Sequence, residues 1–123
     1  MANTQLHLHT AHSLNDGTIE ASALVARLKE MGATAGAVTD HGTLMAVEEF
    51  GSVFERAGLK LIPGVEAYVD SGKGQREHLV LLSADKIGYK AVCRAVTESN
   101  SNIDAKGFPL MTVEMLEKWF AEG

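Results

Sequence analysis

Four short apolar runs punctuate the chain, at residues 5–10, 35–39, 59–69 and 79–82, and each carries or meets a histidine or a carboxylate. The first three are separated by stretches whose apolar residues recur at helical spacing. Strands alternating with helices indicate a parallel α/β sheet or barrel, in which residues from several strand ends meet at one face. Residues 19–31 place Ala21, Leu24, Val25 and Leu28 on one helical face, and Gly32 is positioned to end that helix in a left-handed conformation. Thr43 is the expected cap of a second helix running to Ala57, with Val47, Phe50, Val53 and Phe54 as a core-facing stripe and Gly58 as its stop.

Further along, residues 70–75 read as a plain turn joining the third and fourth runs, and their glycines lack a phosphate-loop pattern. A third helix is expected over 87–98, an aperiodic polar loop over 99–104 and a last amphipathic helix over 112–121. Cys93 falls in the third helix and reads as a packing residue. A single cysteine excludes an internal disulfide and suits a reducing compartment.

The chemistry lies at the ends of the runs. If residues 5–10 form a strand, alternation points His7 and His9 to one face and Leu6 and Leu8 to the other. Two imidazoles about 7 Å apart along a strand can grip one divalent metal or reach two neighbouring ones, and Asp16 adds negative charge. The second run ends in Asp40-His41-Gly42. Glu66 stands alone among apolar neighbours, where an ionised carboxylate is costly without a cation. His78 opens the fourth run. Six candidate ligands are therefore expected to converge: His7, His9, Asp16, His41, Glu66 and His78. The bland alternative is a half-buried strand with two incidental histidines, and recurrence of the pattern at later strand ends argues against it. His12 reads as a solvent-exposed loop residue outside the ligand set, while Ser13 and Asn15 are expected to shape the loop through local hydrogen bonds.

The series His-x-His-Thr with Ser13 and Asp16-Gly17, then Thr39-Asp40-His41-Gly42, then Gly64-Val65-Glu66-Ala67-Tyr68-Val69, then His78-Leu79-Val80-Leu81-Leu82 resembles the PHP (polymerase and histidinol phosphatase) family. The following Ser83-Ala84-Asp85, Gly88-Tyr89 segment is similar to its polymerase branch, the N-terminal domains of bacterial DNA polymerase III alpha subunits. This resemblance, from His7 to about Phe120, implies a distorted (β/α)7 barrel with up to three divalent metal ions, commonly zinc, manganese or iron. It implies phosphoester hydrolysis, with 3′–5′ exonuclease or pyrophosphatase activity in some polymerase members. It puts His7, His9, Asp16, His41, Glu66 and His78 at metal-ligand positions, Glu66 as a bridging carboxylate, and Asp40 as a group orienting an imidazole from behind. No catalytic residue separate from the metal site is expected, and the attacking group would be a water acidified at the centre.

The family's later ligands, a Cys or His and an Asp-x-His, would lie beyond Gly123, as would the polymerase's own catalytic carboxylates. Residues 1–123 are thus expected to form a single domain equal to about the first half of a barrel. Val113, Leu116, Trp119 and Phe120 would then need a cover, which a homodimer or the remainder of a polymerase polypeptide would supply. The expected substrate is a phosphoester or a nucleic-acid 3′ end. Two other readings fit the same motifs: a catalytically inactive, metal-stabilised structural or interaction domain, and a small phosphatase of the histidinol-phosphate type.

Composition narrows the classes. A formal charge of −5 with no Lys/Arg cluster speaks against tight independent nucleic-acid binding, which draws on a basic face. No run approaches the roughly 18 to 20 apolar residues of a membrane span, so a cytoplasmic protein is expected.

Overall fold

The computed structural model describes residues 3–14, 16–73 and 75–121. Its elements run α1 (Ala21–Glu30), β1 (Ala35–Val38), α2 (Ala46–Arg56), β2 (Lys60–Asp70), β3 (Arg76–Leu82), α3 (Lys86–Ser99), β4 (Met111–Thr112) and α4 (Val113–Phe120). The sheet is mixed. β1 and β4 pair with β2 in parallel, at its start and its end, and β3 pairs with it antiparallel from Gly64 to Asp70. The antiparallel pair follows from chain length, because a parallel return needs a crossover of about a dozen residues and the link from β2 to β3 is a short turn. Gly74 of that turn, like Asn15 of the expected loop, lies outside the described residues.

Residues 5–10 run extended beside β1 but make isolated bridges instead of a continuous ladder, Gln5 with Gly36 and Thr10 with Ile19. The carbonyls of Gln5 and Leu8 accept from Ala37 N and Thr39 N at 2.8 and 2.9 Å. Only Leu8 of the expected apolar pair packs on the core; Leu6 is exposed.

Two apolar clusters flank the sheet. The first joins α1 and α2 to β1 through Leu24, Val25, Leu28, Val38, Phe50 and Phe54, with Val47 and Val53 packed against it. Both helices stop as the sequence indicates, with Gly32 and Gly58 at φ 70°. Thr43 bonds Met45 N, but Met45 is the residue flanking α2 and no side chain caps that helix, so the expected cap is displaced into the preceding turn. The second cluster gathers Val65, Ala67, Val69, Val92, Ala95 and Met111. Asp85 and Thr112 cap α3 and α4 through Gly88 N and Met115 N. Leu116, Trp119 and Phe120 pack on this second cluster yet stay partly exposed, and Val113 is exposed, so α4 buries none of its residues fully. Cys93 is half-buried. Among the described residues no helix is long and apolar enough to cross a membrane.

Candidate metal centre

Glu66 sits in the middle of β2, its side chain only 6% exposed. Register explains what surrounds it. Glu66 faces Val80 across the antiparallel pair, so His78, two residues along β3, lies on the same face at the diagonal position. On the other edge of β2, His41 bridges Glu66 directly, with Gly42 N donating to the Glu66 carbonyl and Glu66 N to the Asp40 carbonyl, each at 3.0 Å. The extended segment beyond β1 then brings His7 and His9 over the carboxylate from one face, as alternation requires.

The contacts are short. His7 Nε2 and His9 Nε2 lie 2.6 and 2.5 Å from Glu66 Oε2, and His78 Nδ1 lies 2.9 Å from Oε1. Asp16 Oδ2 lies 2.9 Å from His9 Nδ1 and 2.8 Å from His41 Nε2, while His41 Nε2 is 3.9 Å from Glu66 Oε2. All six candidate ligands are therefore in one network of imidazoles and carboxylates. His12 stands apart, 2.6 Å from Glu49 on α2.

Asp16 reaches this place because its loop is pressed onto the strand end. A Cβ at Gly17 would stand 1.9 Å from the Thr10 carbonyl oxygen, so only glycine permits the approach. Ser13, fully buried, accepts from His41 N at 3.3 Å and supports the loop from within. Asp40 has a different partner from the one expected. Its carboxylate accepts from Thr10 N at 2.6 Å and Thr10 Oγ1 at 2.7 Å, both residues being buried, and so anchors the segment carrying His9. Thr39 adds to the staple, its hydroxyl accepting from Leu8 N at 2.8 Å.

Electrostatics favour ionised carboxylates. Burial pushes the Glu66 carboxyl up, but hydrogen bonds from His7 and His9 with the charge of His41 outweigh it, leaving Glu66 below the usual carboxylate range. Asp16 behaves alike, burial being overcome by the Ser13 hydroxyl and by His9 and His41.

The donor set fits divalent metal. Three groups offer one ligand atom per residue, all within 4.8 Å of one another: His7, His9 and Glu66; His9, Asp16 and His41; His41, Glu66 and His78. Nitrogen with carboxylate oxygen suits zinc, manganese and iron alike. His41 Nδ1 is buried with no hydrogen-bond partner among the described residues.

Sequence reasoning passed over Tyr68, whose ring stacks on His41 at 5.4 Å with 3° between planes and meets His78 edge-on at 5.1 Å. The signal was present, since Tyr68 lies two residues beyond Glu66 and therefore on the same face of the strand.

The PHP domain family matches residues 5–123. The DNA polymerase III subunit alpha of Campylobacter jejuni is 43% identical over 94 residues, covering 71% of this chain and 8% of the relative. The corresponding subunit of Mycobacterium tuberculosis is 39% identical over 140 residues, covering 96% and 12%. The chain thus spans about a tenth of the length of these curated relatives. Among solved structures, an amidohydrolase from Chromobacterium violaceum, with bound sulfate and no metal, superposes with a TM-score of 0.63 at 26% identity over 82% of this chain and 34% of that one. A protein described as a metal-dependent phosphoesterase from Bifidobacterium adolescentis does so with a TM-score of 0.58 at 22% identity, over 80% and 34%, a likeness of fold. With its motifs in the family's order and nearly its whole length matched, this chain belongs to the PHP domain family.

Proposed function

We propose that this chain is a metal-dependent phosphoesterase-type domain of a DNA polymerase III alpha polypeptide, acting on phosphoesters such as a nucleic-acid 3′ end. One observation carries the reading: a buried carboxylate, Glu66, touched by His7, His9 and His78, with Asp16 joining His9 to His41. A buried carboxylate needs cations or donors to stabilise it, and the imidazoles gathered around Glu66 and Asp16 are the residue types that ligate divalent metal.

His7, His9, Asp16, His41, Glu66 and His78 would hold the divalent ions, with Glu66 shared among groups. When bound, such ions acidify a water and neutralise charge on phosphoryl oxygens, so hydrolysis needs no covalent enzyme intermediate. The residues of this chain do the rest. Glu66 and Asp16 supply negative charge, Tyr68 holds the His41 and His78 ring planes, and the Asp40–Thr10 clamp keeps His9 in register with Glu66. The exposed edges of His7 and His78, 55% and 49% open, leave the centre accessible to a polymer end.

The test is metal content by elemental analysis on protein purified without chelator, beside a His7→Ala, His9→Ala variant. Two or more equivalents in the parent, reduced in the variant, are expected, followed by phosphodiester hydrolysis that the variant loses. No bound metal in the parent, or equal hydrolysis by the variant, would overturn the reading.

A further inference from the structure

A cavity of about 550 Å³ opens beside His78, within the size range of small-ligand sites, and is lined also by Arg76, Asp104 and Lys106. Its cations are not an accident of a basic surface, because the chain carries −5 overall. Arg76 is held firmly. Its guanidinium lies 3.8 Å from the Phe108 ring centroid and 4.9 Å from that of Tyr68, and Nη1 donates to Asp104 Oδ2 at 3.1 Å. A guanidinium has five donors, and Nη1 is the one with a protein partner among the described residues. Asp104 is itself secured by Lys106 N and Phe108 N at 2.8 and 2.9 Å, so the loop bearing Lys106 is fixed against β3. The Lys106 side chain is exposed and forms no ion pair among the described residues.

Two cations, one pre-oriented and one unpaired among the described residues, therefore line the cavity onto which His78 also opens. A rigid guanidinium with spare donors beside an ammonium is suited to phosphate. We infer that the Arg76–Lys106 cavity is a subsite for a second phosphate of the substrate, next to the one held at the Glu66 centre. The substrate class is then a nucleotide or oligonucleotide carrying an adjoining phosphate, in preference to a simple phosphomonoester. This inference rests on the phosphoesterase reading, since His78 links the two places.

Binding of thymidine 3′,5′-bisphosphate and of inorganic phosphate would be measured by calorimetry, with manganese(II), for the parent, Lys106→Ala, Lys106→Arg and Arg76→Gln chains. The bisphosphate should bind the parent more tightly than phosphate. Lys106→Ala should weaken it about tenfold, the loss of one charge-assisted contact, while phosphate affinity and metal content stay unchanged. Lys106→Arg should restore most of the difference, and Arg76→Gln should weaken the bisphosphate at least as much as Lys106→Ala. Equal affinity for the two ligands, or a bisphosphate affinity indifferent to Lys106, would overturn the subsite even with metal fully bound. Absence of metal from the parent would instead sink the phosphoesterase reading, and with it the subsite's place beside a phosphate held at the Glu66 centre.

Discussion

The two apolar clusters of this protein are built differently. The first packs Phe50, Phe54 and Leu28, all essentially inaccessible, between two helices and a parallel strand pair. The second is made largely of valine and alanine with Met111, its outer helix α4 has no buried residue, and β3 leaves Leu79 and Leu82 more than a third exposed. The candidate site straddles the seam. His7, His9 and His41 are tied to the first region through Thr39, Asp40 and Thr10, whereas His78 is carried by the thinner second region. The ligand set thus rests on two separately packed supports, one built on large aromatic side chains and the other on small ones.

That contrast can be broken by mutation. Phe54→Ala should cost the most, about 3 to 5 kcal/mol, because a fully buried aromatic leaves a cavity its rigid surroundings do not fill. Urea unfolding would measure it, and a loss under 1 kcal/mol would show that the first cluster is not the stronger support. Asp40→Ala should follow, at about 3 kcal/mol, since it strands the buried Thr10 N–H and hydroxyl. It should also lower metal affinity by displacing His9, an effect that a normal metal titration would refute. Val92→Ala, in the second cluster, should cost about 2 kcal/mol for two methyl groups and a small cavity. If it matched Phe54→Ala, the asymmetry would be false.

The smallest effect concerns pH. Asp104 is held below the usual carboxylate range, chiefly by Phe108 N–H, with Lys106 N–H and the Arg76 guanidinium helping it to outweigh desolvation. A carboxyl lowered in the folded state stabilises it above the unfolded value, near 3.8, and that contribution is lost as pH falls through the lower folded value. The loop should therefore keep its structure at pH 4 and loosen only in stronger acid. Amide shifts of Lys106 and Phe108 that move together with a midpoint at or above 3.8 would contradict this.

Much of this was legible in the residues. The helical faces of α1 and α2, their glycine stops, the strand runs and all six candidate ligands follow from periodicity and from polar residues where apolar ones are expected. Asp40 was less legible. A carboxylate beside a histidine in sequence suggests a partner for that imidazole, yet in a strand neighbouring side chains face opposite ways, and Asp40 turns to Thr10. Arg76, Lys106 and Phe108 gave no signal at all, being brought together by a loop 28 residues along the chain from Arg76 to Asp104.

By itself, the sequence determined which residues face one another along each element, because strand and helix periods are local properties of the backbone. Tertiary structure alone decided three matters: the antiparallel return of β3, which sets His78 diagonal to Glu66; the packing of α4 on the second cluster; and the cationic cavity beside the centre. Each depends on register between segments far apart in the chain, which is settled by hydrogen-bond pairing and burial across the sheet and leaves no periodic trace in either segment.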